Sequence, residues 1–202
     1  MLFWITWVIA YPLLRLLFPL RYRGRENIPK GGGLILCSNH TSIFDPVFLM
    51  LSYRHLICFM AKEELFKNKF AAFMLRKYGV FAVKRGSGDK DALNVGADII
   101  GRGKIMGIFP EGGRAKDYTP KRAKLGAAYI AGMAKADIIP ACVYSKGKIK
   151  LFKKTTIRFG PVIKYDELGI VEGSMAEYKA AATLIMDRIK ELWSMGHGDN
   201  AG

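Results

Sequence analysis

Residues 31–46, Gly-Gly-Gly-Leu-Ile-Leu-Cys-Ser-Asn-His-Thr-Ser-Ile-Phe-Asp-Pro, contain the transition that decides the fold of this 202-residue chain. Three glycines precede the short apolar run Leu34–Ser38, and polar residues follow it at once. Runs of this length that do not alternate between apolar and polar residues are typical of strands buried inside a parallel sheet. The stretch therefore predicts a buried strand that ends at Ser38 and presents the next residues at an edge of the sheet.

Similar apolar runs recur along the chain and alternate with stretches of helical character. Further strands are predicted at residues 56–61, 80–84, 105–109 and 138–144, and helices between them at residues 63–77, 89–100 and 121–135. Residues 148–158 are more polar and predict one or two strands near an edge that lysines protect. This alternation predicts an α/β fold, a single domain with a mixed, largely parallel sheet flanked by helices.

The last helix has the most complete sequence pattern. Ser174 and Glu177 have the spacing of a capping box. Apolar residues then recur at spacings of three and four, at Met175, Tyr178, Ala182, Ile185, Ile189 and Leu192, and Trp193 closes the stripe. The pattern predicts one amphipathic helix packed on the core, followed by a flexible tail over residues 196–202.

The composition limits the classes of protein to which the chain can belong. Lys and Arg total 32 against 17 Asp and Glu, a formal net charge of +15, yet 50% of the residues are apolar. The charge predicts an anionic partner, namely nucleic acid, a membrane surface or a phosphorylated ligand, and the apolar content excludes a disordered chain. Three scattered cysteines, Cys37, Cys58 and Cys142, exclude a disulfide framework and indicate a reduced cytosolic setting.

The first twenty residues predict a membrane anchor. They are almost entirely apolar and contain one charged residue, Arg15. Two prolines and this arginine argue against a continuous transmembrane helix, whereas three amphipathic aromatic residues on one helical face favour the bilayer interface: Trp4, Trp7 and Tyr11. The basic residues up to Lys30 would keep the rest of the chain cytoplasmic. We expect residues 1–20 to anchor the chain in or on the membrane; the alternative is a buried pair of N-terminal helices.

A histidine and an aspartate five residues apart, His40 and Asp45, form the first candidate site. On a regular helix they would lie roughly 140° apart, so they can meet only if the chain turns between them. Asp45 could cap a helix that starts at Pro46, or Ser42 could cap it with Asp45 in the third position. Both arrangements place His40 just beyond the carboxyl end of a strand, where open α/β sheets bind ligands. A carboxylate on one imidazole nitrogen makes the histidine a general base.

Two more predicted strands end in loops that suit a phosphate group. One ends in Val83-Lys84-Arg85-Gly86, and the other in Phe109-Pro110-Glu111-Gly112-Gly113-Arg114. Glycine-rich turns let backbone N–H groups approach an anion, and arginine binds phosphate with two parallel hydrogen bonds. Neither loop has the P-loop or dinucleotide fingerprint, so an ATP or NAD site is not indicated.

Taken in order, these blocks resemble the four motifs of the glycerolipid acyltransferases, specifically the bacterial 1-acyl-glycerol-3-phosphate acyltransferases. The blocks are Asn39-His40-x4-Asp45, Val83-Lys84-Arg85-Gly86, Phe109-Pro110-Glu111-Gly112-x-Arg114 and Ile138-Ile139-Pro140-Ala141, and the resemblance covers about residues 20–165. The family usually has threonine or serine where Gly113 stands, and often an acidic residue where Lys84 stands. These departures bear on substrate preference more than on the class of reaction.

The resemblance implies a function for each block. His40 would deprotonate the free hydroxyl of lysophosphatidic acid, with Asp45 orienting it, and the alkoxide would attack an acyl thioester without forming a covalent acyl-enzyme. Ile139 and Pro140 would help to shape the acyl pocket. The donor would be acyl-CoA or acyl-carrier protein, and neither a cofactor nor a metal is expected. The residues implied in binding the substrate phosphate are Lys84, Arg85, Glu111, Gly112, Gly113 and Arg114.

Several alternatives remain open from the sequence. The acceptor could instead be glycerol 3-phosphate or an amino-acid lipid, or the chain could be a non-enzymatic module that binds anionic lipid. The apolar N-terminal segment disfavours nucleic acid as the partner. We expect an acyltransferase domain over residues 21–195 at the cytoplasmic face of the cell membrane, with no prediction of oligomeric state. Five lysines suit either an acidic carrier or a solvated edge: Lys146, Lys148, Lys150, Lys153 and Lys154.

Overall fold

Short strands, most of them buried on both faces, form one seven-stranded sheet in the computed structural model, which describes residues 12–53, 56–83 and 90–198. The order across the sheet is β1-β7-β6-β2-β5-β3-β4. The strands are β1 (Leu20–Arg23), β2 (Leu34–Ser38), β3 (Ile57–Lys62), β4 (Phe81–Val83), β5 (Ile105–Ile108), β6 (Ile138–Tyr144) and β7 (Thr155–Phe159).

The directions of the strands confirm a mixed, largely parallel sheet. Strands β2 to β6 all run parallel to one another, whereas β7 runs antiparallel to β6 and β1 runs parallel to β7. A loop, and not a crossover helix, joins β6 to β7, and such a connection suits antiparallel strands. One edge of the sheet therefore collects the carboxyl ends of β2, β3, β5 and β6. We call it the carboxyl edge; residues 39–45, 109–115 and 145–154 leave the sheet there.

Helices cover both faces of this sheet. They are α1 (Asp45–Ser52), α2 (Lys69–Lys77), α3 (Lys90–Gly101), α4 (Gly126–Ala134) and α5 (Met175–Ser194). Helix α1 packs with Phe18 on one face, and helices α3, α4 and α5 pack on the other. Strand β6 shows this division, because Ile138 belongs to the core under α3–α5 and Ile139 to the core under α1. The observed layers are those of the predicted α/β class.

Two predicted helices begin later than their sequence patterns indicate. Residues 63–66 form a 3₁₀ turn, and α2 begins only at Lys69 because the side chain of Asn68 accepts a hydrogen bond from the Ala71 N–H (3.0 Å) and caps the helix. Helix α4 begins at Gly126. The residues before it are held elsewhere, since the Lys124 N–H donates to the carbonyl of Pro110 (2.8 Å).

Strand β1 is an element that the sequence patterns did not indicate. It pairs in parallel with β7, with Leu20 opposite Thr155, and its four residues are too few and too polar to show a strand pattern. The predicted strands over residues 148–158 shrink to β7 alone, and residues 146–154 form a loop. Hydrogen bonding between distant segments, and not local composition, decides both differences.

The structure describes only the end of the predicted anchor, because residues 1–11 lie outside the described residues. Residues 12–17 are helical, and Phe18 and Leu20 are buried in the core of the domain. Within the part of the chain that the structure describes, no helix has the length and apolar character needed to cross a bilayer.

The last helix matches its prediction. Ser174 and Glu177 form the expected capping box, and the core under α3–α5 includes Ala182, Ile185, Ile189 and Leu192, whereas Met175 is exposed. The described part of the predicted tail is attached to β7, because His197 Nδ1 and Thr156 Oγ1 are 2.9 Å apart. Residues 199–202 lie outside the described residues.

Candidate active site

The site begins where β2 stops pairing through its backbone. Asn39 is completely buried, and its side chain replaces the next pair of backbone hydrogen bonds to β6. Its Nδ2 donates to the Val143 carbonyl (3.0 Å), and its Oδ1 accepts from the Val143 N–H (2.8 Å). The main chain is thereby free to turn away from the sheet, and His40 emerges at the carboxyl edge. In the sequence, Asn39 stands out only as the residue before His40 in the first motif.

His40 and Asp45 meet across this turn. Nδ1 of the imidazole is 3.0 Å from Oδ2 of Asp45. The same oxygen accepts hydrogen bonds from the N–H groups of Thr41 and Ser42, both at 2.7 Å. Asp45 is completely buried, whereas the His40 side chain keeps 17% of its surface exposed. Three donors converge on one carboxylate oxygen, which fixes it relative to the backbone that carries His40.

Both predicted capping arrangements are wrong in detail. Helix α1 begins at Asp45 itself, with Pro46 second, and no side chain caps it. In the alternative with Ser42 as cap, the Asp45 carboxylate does accept from the Ser42 N–H, but the Ser42 hydroxyl does not accept from the Asp45 N–H. The Ser42 hydroxyl accepts instead from the N–H of Phe44 (3.3 Å). The reason is that the Asp45 side chain points back to the turn and to His40.

Aromatic stacking sets the orientation of the imidazole. The ring of His40 lies on the ring of Phe109, with centroids 4.1 Å apart and planes 17° apart. Phe109 in turn stacks on Phe59 at 5.4 Å. A carboxylate beside Nδ1 favours the imidazole tautomer that is protonated on Nδ1. The Nε2 atom then has a free lone pair and can accept a proton. The sequence placed Phe109 beside the glycine-rich loop but did not predict its stacking on His40.

The loop after β5 holds both peptide groups of His40. Oε1 of Glu111 accepts from the His40 N–H (3.1 Å), and the Ala115 N–H donates to the His40 carbonyl (2.7 Å). Burial raises the pKa of Glu111, opposed by its hydrogen bonds to the backbone of His40 and Lys121. Glu111 was predicted to help bind the substrate phosphate. That role stays a prediction, and the structure adds a partner for this carboxylate within the protein.

The glycine-rich turn lies directly beside this anchor point. Gly112 has a φ of +69°, and a Cβ there would meet the Lys124 side chain, with Cδ at 2.8 Å and Nζ at 3.1 Å. The position therefore requires glycine and places a lysine side chain over the turn. Arg114 is exposed at its end. The loop that is hydrogen-bonded to His40 therefore contains Gly112, Gly113 and Arg114, and the Lys124 side chain lies against it. Lys124 carried no sequence signal beyond its charge.

Four predicted site residues remain. Lys84 and Arg85 are outside the described residues. Ile139 and Pro140 are buried in the middle of β6, where the Pro140 carbonyl accepts from the Gly160 N–H (2.8 Å). Their part in an acyl pocket stays a prediction.

The buried cysteines are unsuited to act as nucleophiles. Cys37 and Cys142 are completely buried. Burial raises the pKa of both thiols, that of Cys142 to about 12. Because the thiolate is the nucleophilic form, the His40 imidazole is a better candidate for chemistry than either thiol.

Comparison with known proteins identifies a family model and several relatives of this chain. A family model described as Acyltransferase matches residues 19–144. The chain is 34% identical over 139 residues to a 1-acyl-sn-glycerol-3-phosphate acyltransferase of Bacillus subtilis (strain 168), covering 63% of this chain and 68% of that protein. It is 31% identical over 124 residues to the protein of the same name from Borreliella burgdorferi, covering 60% of this chain and 50% of that one.

A solved structure shares the fold. The crystal structure of the 1-acyl-sn-glycerophosphate (LPA) acyltransferase PlsC from Thermotoga maritima superposes with a TM-score of 0.66, over 86% of this chain and 71% of that one, at 23% identity. At this identity the likeness supports the architecture alone. The family model, however, covers more than half of the chain, so the chain belongs to the acyltransferase family and is an acyltransferase enzyme.

Proposed function

We propose that this acyltransferase moves a fatty acyl group from an acyl thioester to the sn-2 hydroxyl of 1-acyl-glycerol-3-phosphate, giving phosphatidic acid. The observation that carries the proposal is the His40–Asp45 pair at 3.0 Å, held at the carboxyl edge by a buried carboxylate. The names of the relatives in Bacillus and Borreliella support the choice of acceptor.

In the proposed reaction His40 acts as a general base. Its Nε2 takes the proton of the acceptor hydroxyl while the hydroxyl oxygen forms a bond to the thioester carbonyl carbon. The tetrahedral intermediate then breaks its carbon–sulfur bond, and the proton on His40 passes to the departing thiolate, so that an ester and a free thiol leave. Asp45 stabilises the imidazolium between these steps. The buried, high-pKa thiols of Cys37 and Cys142 support direct transfer without an acyl-enzyme.

The acceptor phosphate would lie on the turn after β5. Gly112 and Gly113 let the chain turn closely there, the Gly112 N–H donating to the Phe109 carbonyl (3.0 Å), and the exposed Arg114 and the Lys124 side chain would supply the positive charge that binds the phosphate. Lys84 and Arg85 join this group on the strength of the sequence. Because the same loop is hydrogen-bonded to His40, a phosphate on it would be held at a constant distance from the base, and such orientation supplies much of the rate in a transfer of this kind.

The acyl donor in the proposal is acyl-CoA or acyl-carrier protein. The protein would work at the cytoplasmic face of the cell membrane, attached through residues 1–20, where the net charge of +15 favours anionic lipids. This location brings the enzyme to an acceptor that resides in the bilayer.

A panel of acceptors and donors tests the proposal. The purified full-length chain in phosphatidylglycerol-containing vesicles would be given lysophosphatidic acid, glycerol 3-phosphate or an amino-acid lipid, each with acyl-CoA and with acyl-carrier protein, and free thiol and lipid product would be measured. The proposal is supported if lysophosphatidic acid is converted to phosphatidic acid and the other two acceptors are not acylated. Faster acylation of glycerol 3-phosphate or of the amino-acid lipid would replace the acceptor, and binding of anionic lipid without thiol release would overturn the proposal.

A further inference from the structure

The loop between β6 and β7 has a composition that the catalytic site does not explain. Residues 146–154 read Lys-Gly-Lys-Ile-Lys-Leu-Phe-Lys-Lys, with five lysines and no acidic residue. Ile149 is buried and fixes the middle of the loop to the core. The next two apolar side chains point outward, because Leu151 is 54% exposed and Phe152 is 69% exposed. A loop that displays two large apolar side chains among lysines is suited to a partner that is both anionic and apolar.

The backbone actively holds Phe152 in this position. Its φ is +59°, in the left-handed region that a bulky residue rarely adopts. The Phe152 N–H donates to the carbonyl of Leu17 (2.7 Å), and the Lys153 N–H to that of Lys150 (3.2 Å), so the strained turn is closed at both ends. Strain of this kind is typical of functional positions.

The exposed pair is connected to other exposed apolar residues near the site. Leu17 ends the helical residues 12–17, from which Leu16 projects with 72% of its surface exposed. The following residue, Phe18, packs against Phe44 with ring centroids 5.0 Å apart. We call the whole group the apolar rim; its members are Leu13, Leu16, Ile43, Phe44, Leu151 and Phe152.

The apolar rim is connected to the catalytic base through the chain itself. Ile43 and Phe44 belong to the turn between His40 and Asp45. The 3.0 Å contact between the side chains of His40 and Asp45 closes this turn. Strand β6 runs parallel to β2, so the β6–β7 loop leaves the sheet at the carboxyl edge, as His40 does. A surface that binds the apolar rim would therefore lie beside His40.

We propose that the β6–β7 loop is a second membrane-binding element, in which Leu151 and Phe152 enter the interfacial layer of an anionic bilayer while the surrounding lysines bind its headgroups. The loop would act together with residues 12–17 and seat the carboxyl edge on the membrane, so that the acceptor reaches His40 without leaving the lipid. This rests on the proposed function, which supplies a lipid acceptor. An acidic carrier protein would satisfy the lysines, but the apolar rim continues beyond them onto residues 12–17 and 43–44, which favours a bilayer.

A fluorescent label tests the insertion directly. Cys37, Cys58 and Cys142 are buried, so a new surface cysteine can be labelled selectively with an environment-sensitive dye in the full-length chain. Labels at Phe152→Cys and, as a control, at the exposed Val171→Cys would be titrated with phosphatidylcholine vesicles with and without phosphatidylglycerol; Val171 follows a segment bound to Asp137, just before the amino end of β6. We expect a blue shift and brightening at position 152 with the anionic vesicles and none at position 171.

The outcomes separate this inference from the proposed function. A label at Leu16→Cys that responds while the label at position 152 does not would overturn the role of the loop and leave membrane attachment intact. A response at position 152 to soluble acyl-carrier protein, but not to vesicles, would also overturn it and would make the loop a carrier-docking site.

Charge and shape variants supply the second test. K150E/K153E should lower partitioning into anionic vesicles by about tenfold or more, whereas K179E/K190E, the same change of charge on the exposed side of α5, should change it little.

Phe152→Gly should also weaken binding without lowering the midpoint of thermal unfolding, since glycine relieves the strained φ. Activity on a short-chain, monomeric acceptor should survive in each variant while activity on vesicle-borne acceptor falls. Equal loss on both acceptors would show that the loop serves the chemistry or the fold and would overturn the proposal.

Discussion

Two loops leave the same edge of the sheet and are organised in opposite ways. The turn from His40 to Asp45 satisfies its charged group from within, since one buried carboxylate oxygen accepts from Nδ1 of His40 and from two backbone N–H groups. The β6–β7 loop instead exposes lysines and the side chains of Leu151 and Phe152 to solvent. The first loop is preorganised and needs no partner to hold its geometry, whereas the second leaves two large apolar side chains in contact with water.

The difference predicts unequal consequences of mutation. Removing one member of a buried, hydrogen-bonded group leaves the others without that partner and costs the desolvation of each. Removing one exposed lysine costs little, because solvent and salt already screen it. Substitutions in the His40 turn should therefore cost far more, in activity and in stability, than those in the β6–β7 loop.

The largest effect is expected for His40→Ala. Loss of a general base lowers the rate by about 10²–10⁴-fold, so kcat measured by thiol release should fall by that factor. The protein should still unfold cooperatively by circular dichroism, because the imidazole lies at the edge of the domain with 17% of its side chain exposed. His197→Ala is the matched control, since that ring contacts Thr156 and not the site. Activity within a few-fold of wild type in His40→Ala would contradict the mechanism.

Asp45→Asn should reduce both activity and stability. The amide that replaces the carboxylate cannot accept three hydrogen bonds and stabilise an imidazolium, so we expect kcat to fall by roughly 10²-fold or more. The free energy of unfolding, from urea titration, should fall by about 1–3 kcal/mol because buried N–H groups lose a charged acceptor. Asp98→Asn, which removes an exposed i,i+4 ion pair with Arg102, should leave kcat unchanged and should change the free energy of unfolding by no more than about 0.5 kcal/mol. Full activity in Asp45→Asn would remove Asp45 from the mechanism.

Asn39→Ala should be chiefly a stability defect. Both backbone groups of Val143 would lose their partners, which costs about 2–4 kcal/mol in unfolding free energy. The comparison is Asn68→Ala, which removes the exposed cap of α2 and should cost about 1 kcal/mol. If urea unfolding showed equal losses for the two variants, the Asn39 side chain would not be the link between β2 and β6 that its geometry indicates.

The smallest effect is a change in pH dependence for Glu111→Gln. Burial raises the pKa of Glu111, so the folded protein holds this proton more tightly than the unfolded chain does. The associated stability is full below the pKa of an unfolded glutamate and is lost as the pH rises through the higher folded pKa. Glutamine still offers an oxygen to the His40 N–H but does not ionise. As the pH rises from the unfolded to the folded pKa of Glu111, the Glu111→Gln variant should therefore lose less stability than wild type, measured by urea unfolding at a series of pH values.

Glu64→Gln provides the control for this experiment, because Glu64 is exposed on the turn before α2. Its unfolding free energy should follow the wild-type pH dependence. An unchanged pH dependence in Glu111→Gln would show that Glu111 ionises as freely in the folded protein as in the unfolded chain.

The parts of the fold that could be predicted are those that depend on local pattern. Strands Leu34–Ser38 and Ile138–Tyr144 have the predicted bounds, and the capping box and apolar stripe place α5. The early limits of α2 and α4 were wrong, because Asn68 caps one helix and Pro110 holds the Lys124 N–H before the other. The predicted pairing of His40 with Asp45 is present, but the capping that was meant to produce it is not.

By itself, the sequence determined the α/β class, the core helix at the end of the chain and the residue types gathered at strand ends, because apolar periodicity and turn chemistry act over a few residues. Only the tertiary structure decided which groups hold His40. Glu111 reaches His40 across 71 residues and Asn39 reaches Val143 across 104, while β1 finds its place only beside β7. Such contacts depend on how the strands are ordered in the sheet, and no local pattern records that order.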